Sequence, residues 1–402
     1  MFSDQDMPLV QSLEDALTYY AQVHASIFSQ ENRLLDDHEE FKLVSNLMNL
    51  LRPEINKSKL FESVRNSFCF SGISLNADAG TVAHWLFALA RKRGASAAVN
   101  ELAECFSRKV IDGELVVSLW GLLVEKQSGL AVSKKFRLSE CEVLPNRQTI
   151  DCEDALRRGL PTAYIVVDAP SFPLISTAQE EPQKAFQSLQ NRASLIRSVV
   201  IASTGVAPVQ TGWWFRSKDA ESAASIILDT SLVLMRAEIH NPRYEDPAPI
   251  DIVKAAKLLR LIEGAGSDES FVRRLERSMW RFESSRTRWG WPDQAIEMAL
   301  AFEMLLGGGG GDSIARSVST RAARICSKNL SDRQAIRFAV GALYHLRNAS
   351  AHGGQGPRSK KYRGRDLSPT EVLNSAAKYY PITLEAILHL GPDPDWDAID
   401  LS

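Results

Sequence analysis

The chain has 402 residues, of which 45% are hydrophobic and 24% charged, so it is long enough for two or three ordinary globular domains. Its formal net charge of -2 excludes a protein that coats nucleic acid non-specifically, and any contact with nucleic acid would need a local basic patch. The five cysteines contain no CxxC pair, which predicts a reducing compartment and gives no zinc-site spacing.

Helices dominate the predicted structure of the first 110 residues. The N-terminus has acidic residues before any apolar run and lacks a basic n-region, and no apolar stretch approaches the ~20 residues that span a bilayer. We therefore expect a cytoplasmic protein with no membrane segment and no signal peptide. Apolar residues at helical spacing predict helices at Leu9–Phe28, Asp37–Leu51 and Thr81–Phe106.

β-branched residues and turn formers become frequent after residue 110. They predict strands of one mixed sheet at Val110–Glu125, Phe136–Leu144, Ala163–Val167 and Leu195–Ser203. The segment Ile226–Ile239 fits either a strand or a helix. Asn241–Pro249 contains three prolines and no periodicity, which indicates a linker.

The predicted fold class is α+β, with a domain boundary at this linker. Residues 1–248 are predicted as a mixed α/β region, in which 1–110 is helical and 111–248 contains the strands. Residues 250–402 are predicted as an all-α helical bundle. Its helices are expected at Ile250–Glu263, Asp268–Ser285, Pro292–Leu306, Ser313–Ser327, Ser331–Ser350 and Pro369–Leu390, the last interrupted at Pro381.

Two features of this helical region have an ordinary interpretation. The Arg and Glu residues of Asp268–Ser285 recur at i,i+3 and i,i+4 distances, which is typical of a solvated helix face. The glycine run Gly307–Gly311 follows a helix and has no Lys-Ser/Thr after it, so it indicates a flexible connector and not a phosphate-binding loop.

The helix that begins at Ser331 ends in a dense run of polar residues. Ser331 and Gln334 have the spacing of a capping box. The apolar stripe consists of Ile336, Ala339, Val340, Leu343 and Leu346. At about 100° per residue, Arg347 returns to within roughly 20° of this stripe, so its charge points toward the core and should have an anionic partner. That partner could be a carboxylate of the protein or a phosphate of a ligand.

Two further charged residues are predicted on apolar helix faces. Glu303 follows the stripe Ile296, Ala299 and Leu300, and Arg321 lies on the stripe of Ile314, Val318, Ala322 and Ile325. Together with Arg347 they would form one buried charge cluster. A structural salt-bridge network that fixes helix packing is an equally open interpretation.

Tyr344, Asn348 and His352 follow at i, i+4 and i+8, so they share one face if the helix continues. Arg347 and His352 are about 140° apart on a straight helix and converge only if it ends or bends near Ser350. A histidine of near-neutral pKa with an arginine is a minimal set for transphosphorylation of RNA, because the imidazole moves protons while the guanidinium holds the phosphate. A histidine at a helix end can also simply cap that end.

Three segments of the C-terminal third resemble HEPN domains, and ApeA-like HEPN domains in particular. RNASAH, from Arg347 to His352, is similar to the signature of arginine, polar residue, short spacer and histidine. PDQAIEMALAFEMLL resembles the helix with an Ala-Leu-Glu element, with Glu303 as the acid, and STRAARIC resembles the following helix, with Arg321 as its arginine. The order of the segments agrees over residues 268–390. Asn348 departs from the serine that this subgroup often has.

The resemblance implies a HEPN-like helical bundle, many members of which are metal-independent ribonucleases of bacterial anti-phage or toxin systems. Two copies of the domain would pair so that two motifs face one cleft. The catalytic residues would be Arg347 and His352 with Asn348 in support, and Glu303, Arg321 and Tyr344 would shape the pocket. No metal and no cofactor are implied. The substrate would be RNA, either tRNA or a phage transcript.

A non-catalytic module that binds RNA, a nucleotide or a protein partner in a defence complex is the alternative function. By analogy with ApeA-like proteins, residues 1–248 would sense a phage-derived or protein trigger. The basic run RSKKYRGR after the motif offers Arg358, Lys360, Lys361, Arg363 and Arg365 to RNA phosphates and Tyr362 to a base. A solvated loop explains the same run.

Overall fold

The protein has an α+β fold with a helical C-terminal region, as the sequence predicts. A computed structural model describes most of the chain. The described residues are 6–28, 37–70, 74–76, 78–124, 130–133, 136–140, 162–219, 222–229, 248–249, 252–266, 268–307, 314–351, 360–362 and 365–401. Among them, no helix is long and apolar enough to cross a membrane.

The first part of the chain is helical where helices are predicted. Its helices are α1 (Met7–Phe28), α2 (Asp37–Lys57), α3 (Lys59–Glu62), α4 (Ala79–Arg93) and α5 (Ala95–Arg108). The prediction of a single helix at Thr81–Phe106 is wrong, because Gly94 divides it with a φ of 86°. The Gly94 N–H donates to the Ala90 carbonyl and ends α4, a conformation that glycine adopts at little steric cost.

Within the described residues, the strands form four sheets. They are β1 (Phe68–Phe70), β2 (Ser74–Asn76), β3 (Val110–Trp120), β4 (Leu122–Leu123), β5 (Leu130–Ser133), β6 (Phe136–Glu140), β7 (Ala163–Pro173), β8 (Ile175–Ser176), β9 (Val209–Ser217), β10 (Ala248–Pro249), β11 (Lys360–Tyr362) and β12 (Arg365–Leu367). The largest sheet has the order β5-β6-β7-β3-β9, and the others are β2-β1-β8, β10-β4 and β11-β12. In β3, consecutive residues from Gly113 to Leu119 are buried, which is the pattern of a strand covered on both faces.

One prediction in the middle of the chain is wrong. Leu195–Ser203, predicted as a strand, lies in the helix α6 (Glu180–Thr204). Its β-branched residues recur at helical spacing as Ile196, Val199 and Val200, all buried, so packing of one helix face overrides local β propensity. The ambiguous segment Ile226–Ile239 is helical where it is described, in α7 (Ala223–Asp229).

The predicted linker is not free of regular structure. Ala248 and Pro249 form β10, which pairs in parallel with Leu122 and Leu123 of β4. A proline can stand in a two-residue edge strand because its carbonyl still accepts, although it has no N–H to donate. Residues 241–247 lie outside the described part of the chain.

The chain divides into two compact units. One comprises residues 1–117, 166–191 and 212–235, and the other comprises residues 118–165, 192–211 and 236–402. Residues 250–402 fall entirely in the second unit, together with earlier segments. The domain boundary predicted near residue 249 stays a prediction.

The C-terminal helices are those that the sequence predicts, with one addition. They are α8 (Ile252–Gly264), α9 (Glu269–Thr287), α10 (Trp291–Leu306), α11 (Ile314–Cys326), α12 (Leu330–Ala351), α13 (Pro369–Leu390) and the unpredicted α14 (Trp396–Leu401). Helix α10 packs against α9 and α12, and α11 packs against α12. Pro381 lies inside α13 without ending it, so the predicted interruption is wrong.

Aromatic stacking fills the centre of this bundle. The ring of Tyr380 stacks on Phe282, with centroids 4.0 Å apart and planes 4° from parallel, and Phe302 meets Tyr380 edge-on. The buried Tyr380 hydroxyl is 2.7 Å from the Ser278 hydroxyl, and Ser278 is also 2.8 Å from the Ala301 carbonyl oxygen. The bundle core therefore contains a polar contact with both of its hydroxyls satisfied.

Candidate functional site

Helix α12 carries the arginine of the predicted motif in its last turns. Its apolar face is buried as predicted, through Ile336, Ala339, Val340, Leu343 and Leu346. The helix begins differently, because the Asn329 side chain accepts from the Ser331 N–H at 2.8 Å. Asn329 thus caps α12, and the predicted capping box of Ser331 and Gln334 is wrong.

The last turn of α12 extends beyond the hydrophobic core. Leu346 is buried, Asn348 is exposed, and helical structure continues to Ala351. Tyr344 and Asn348, which were expected to share a face, therefore differ in burial. Since His352 lies outside the described residues, its approach to Arg347 stays a prediction.

Arg347 faces a carboxylate but is not buried by it. Its Nη2 lies 3.9 Å from Glu303 Oε1, and the two side chains are 36% and 20% exposed. Its Nη1 donates to Asn348 Oδ1 at 3.2 Å. The expected partner is correct, whereas the expected burial of Arg347 is wrong, because the guanidinium lies at the rim of the core with part of its surface in water.

Glu303 stands at the edge of the core of α10. The fully buried residues of this helix include Met298, Ala299 and Phe302, while Ile296 and Leu300 are only half-buried. Glu303 therefore continues the less buried side of the helix. This position lets its carboxylate reach Arg347 while it remains partly open to solvent.

Tyr344 lies beneath this ion pair. It is 2% exposed, and burial raises the pKa of its hydroxyl well above the usual value, an effect that the charge of Glu303 increases. The Tyr344 hydroxyl and Glu303 Oε1 are both buried, and a side-chain hydrogen bond to Glu303 also contributes to the raised pKa of Tyr344. The phenol thus stays neutral, and its hydroxyl is a polar group next to the carboxylate.

Arg321 belongs to a different contact. It is buried, and its Nη2 lies 2.9 Å from Asp400 Oδ2, while Nη1 donates to the Leu306 carbonyl at 2.9 Å. The guanidinium carbon lies 4.6 Å from the centroid of the Trp396 ring. Because the carboxylate paired with Arg321 is Asp400 and that paired with Arg347 is Glu303, the single charge cluster that was expected is divided into two ion pairs.

The C-terminal partner of Arg321 is not among the predicted site residues, because α14 was not predicted. The Asp395 side chain accepts from the Ala398 N–H at 3.0 Å, so Asp395 caps this short helix. An aspartate three residues before the backbone N–H that it caps is the available signal. Arg324 Nη1 also donates to the Ile399 carbonyl, which fixes the same segment to α11.

Three arginines of α9 were also missed as candidates for a site. Arg273, Arg274 and Arg277 line a cavity that Glu303 closes from α10. Their spacing was assigned to a solvated face, and only the position of α10 shows that this face borders a concave surface. The cavity and the Arg347 contact share Glu303.

The basic run after the motif is described only in part. Lys360–Tyr362 and Arg365–Leu367 pair as an antiparallel hairpin, with Tyr362 opposite Arg365. The predicted RNA-binding residues Arg358 and Arg363 lie outside the described residues. Only the backbone is described for the others in the run.

Among the described residues, no group of three or more His, Cys, Asp or Glu side chains is placed to hold a metal ion. In comparisons with known proteins, no family model, no curated protein and no solved structure matches this chain. The resemblance to HEPN domains therefore depends on the quoted segments alone.

Proposed function

We propose that the chain is a metal-independent endoribonuclease of the HEPN type, acting in the cytoplasm as an effector of bacterial anti-phage defence. The observation that supports this proposal is the partial exposure of Arg347 together with its single carboxylate neighbour among the described residues. This guanidinium stands beside one carboxylate at 3.9 Å and is 36% exposed. It therefore retains N–H donors for a phosphate, in contrast to the buried Arg321, whose donors are occupied by Asp400 and Leu306.

The proposed reaction is a transphosphorylation within RNA. The 2′-hydroxyl oxygen bonds to the adjacent phosphorus, the bond from phosphorus to the 5′ oxygen breaks, and a 2′,3′-cyclic phosphate and a 5′-hydroxyl result. His352 takes the proton of the 2′-hydroxyl or gives one to the leaving oxygen. Arg347 holds the phosphate and stabilises its developing charge, and Asn348 supports it as a polar neighbour.

A second copy of the chain completes the site in this proposal. Arg347 and His352 diverge by about 140° on a continuous helix, and α12 is helical to Ala351. Two motifs that face one cleft would let the arginine of one copy act with the histidine of the other. The basic residues around the hairpin of β11 and β12 would guide RNA to that cleft.

The test is cleavage of labelled single-stranded RNA and tRNA by the purified full-length chain with EDTA present. We expect cleavage by the parent protein and at least a 100-fold loss in Arg347→Ala and His352→Ala. Arg337→Ala, at an exposed position of the same helix, and His389→Ala, at an exposed position of α13, are the matched controls. Products that end in a 2′,3′-cyclic phosphate identify the reaction.

The outcomes separate the proposal from its alternative. Strict dependence on a metal ion contradicts the mechanism, and full activity of His352→Ala contradicts the role of that histidine. RNA binding that Arg347→Ala abolishes, without cleavage of any RNA tested and with no cleavage after infection of cells that carry the gene, supports the non-catalytic binding module instead.

A further inference from the structure

A cavity of about 500 Å³ lies between α9 and α10, on the side of the bundle where Glu303 approaches Arg347. This volume is within the range of sites that hold small molecules. The residues that form it include Arg273, Arg274, Arg277, Glu303, Met304 and Gly307. Three arginines and one glutamate therefore contribute to one concave surface.

The arginines of the cavity are only partly neutralised by the protein. Arg273 pairs with Glu269 at 3.3 Å in a contact that is exposed on both sides, which water largely screens. Arg274 Nη2 donates to the Pro392 carbonyl at 2.7 Å. Arg277 makes no ion pair or hydrogen bond with any residue that the structure describes. Three arginines and one carboxylate leave this surface with an excess of positive charge, so the cavity is suited to an anion.

One buried polar atom of the cavity residues, the donor Arg274 Nε, lacks a hydrogen-bond partner within the described ranges. Glu303 Oε1 is also buried, and Arg347 Nη2 lies 3.9 Å from it. A buried donor without a partner is costly, and a ligand with an acceptor would remove that cost after a small side-chain movement, while a donor of the same ligand would add a hydrogen bond to the carboxylate. Each nucleotide of an RNA strand offers an acceptor, which is a phosphate oxygen, and a donor, which is the ribose 2′-hydroxyl.

Glu303 connects this cavity to the proposed cleavage site. The same side chain that lines the cavity has its Oε1 3.9 Å from Arg347 Nη2. A strand with one phosphate at Arg347 would therefore pass Glu303 before its neighbouring phosphate reaches the arginines of α9. This order of groups matches the order of phosphate, ribose and phosphate along RNA.

We propose that this cavity binds the ribose and phosphate that flank the scissile phosphate of single-stranded RNA. Arg273 and Arg277 hold the flanking phosphate, and Glu303 accepts a hydrogen bond from the 2′-hydroxyl, by which RNA is distinguished from DNA. The direction in which the RNA strand crosses the cavity rests on the proposed function. The binding surface itself can be tested without any cleavage.

The experiment measures binding of a fluorescent 12-nucleotide RNA, and of DNA of the same sequence, to the full-length chain carrying His352→Ala. This background removes the proposed proton transfer and retains every arginine. Arg273→Gln with Arg277→Gln should weaken RNA binding at least about 10-fold. It should also reduce the slope of log K against log[salt] by about 0.7, since the two arginines hold one phosphate and each lost phosphate contact on a single strand contributes about 0.7.

The controls distinguish loss of the cavity from loss of charge or of folding. Arg260→Gln with Arg337→Gln removes two exposed arginines of other helices and should leave both the affinity and the salt slope nearly unchanged. Arg277→Lys keeps the charge and should retain most of the binding. Thermal unfolding of each variant establishes that the bundle is intact.

The RNA preference tests the role of Glu303. Glu303→Ala should reduce the ratio of RNA to DNA affinity at least about 10-fold, because a hydrogen bond to a charged group is lost for RNA only. If the arginine pair variant binds RNA like its background, the cavity assignment is overturned, even where the parent protein cleaves RNA. If cavity-dependent binding is found and no cleavage occurs, the proposed reaction fails and the binding site stands.

Discussion

The carboxylate of Glu303 lies 3.9 Å from the guanidinium of Arg347, while both side chains keep part of their surface in water. Ion pairs with this much exposure contribute about 0–1 kcal/mol to stability. The contact therefore does little to hold α10 against α12. It orients a charged group at the rim of the bundle, which is what a phosphate-binding arginine requires.

We expect Glu303→Gln to separate these two roles. The substitution keeps the shape of the side chain and removes its charge, so the free energy of unfolding should change by less than about 1 kcal/mol. Cleavage of RNA should fall about tenfold, which corresponds to about 1.4 kcal/mol of lost orientation. Thermal unfolding and initial cleavage rates measure the two effects. A large drop in melting temperature with unchanged cleavage would instead support a purely structural charge cluster.

Asp400→Asn should have the opposite profile. The side chain of Arg321 is 7% exposed and that of Asp400 is 35% exposed, so loss of the charge leaves a buried cation with a weaker partner. We expect the stability to fall by about 2–3 kcal/mol, with RNA cleavage unchanged at temperatures well below the transition. Denaturant unfolding measures the change.

The matched control for Asp400→Asn is Asp393→Asn, at an exposed position before α14. It makes the same chemical change without touching Arg321. If both variants lose equal stability, the ion pair with Arg321 does not hold the C-terminal helix.

The helices of the C-terminal region could be predicted because their apolar stripes are long and their ends are marked by polar residues or glycine. Local pattern was also enough to place Glu303 and Arg347 on facing sides of two helices. It could not give the degree of burial of Arg347, since that depends on where α12 leaves the core. It could not give the partner of Arg321 either, because Asp400 is 79 residues away in α14, a helix of 6 residues.

The errors in the middle of the chain have a common physical cause. In Leu195–Ser203 the β-branched residues favour a strand, but this local preference is weak compared with the burial of a helix face. Gly94 does not stand out as a helix boundary because apolar spacing continues on both sides of it. The cavity beside α9 depends on the position of α10, and the spacing of residues within α9 carries no information about that position.

Glu283→Gln should destabilise the second compact unit. The Glu283 carboxylate is buried, and it accepts from Arg197 Nη2 and, at 2.9 Å, from the Ser198 hydroxyl. The neutral amide cannot pair with the guanidinium of Arg197, which also donates to Gln210 at 3.1 Å. We expect a loss of about 2–4 kcal/mol, slightly below that of a fully buried pair because Arg197 is partly exposed.

Glu276→Gln, at an exposed position of the same helix, is the control for Glu283→Gln and should change stability by less than about 0.5 kcal/mol. Denaturant titration followed by circular dichroism measures both variants. Equal effects of the two substitutions would contradict a stabilising role for the contact between α6 and α9.

Three thiols, that of the buried Cys69 and those of the half-buried Cys105 and Cys326, should make the protein less stable in alkali. Burial raises the pKa of Cys326 to about 11 and the pKa of Cys69 and Cys105 to about 12. In the unfolded chain these thiols lose their protons near their ordinary pKa of about 8.5. The folded state therefore binds more protons above that pH. Each thiol then removes stability as the pH rises from about 9 toward its folded pKa, at up to about 1.4 kcal/mol per pH unit.

Cys326→Ser isolates one of these groups, because the serine hydroxyl does not titrate and can still meet the Thr383 hydroxyl that lies 3.3 Å from the Cys326 sulfur. We expect the parent protein to lose more stability than Cys326→Ser between pH 8 and pH 10, by about 1–2 kcal/mol. Urea unfolding at the two pH values gives the difference, and lysine titration cancels because it is common to both proteins. Parallel pH profiles would mean that folding does not raise the pKa of the Cys326 thiol.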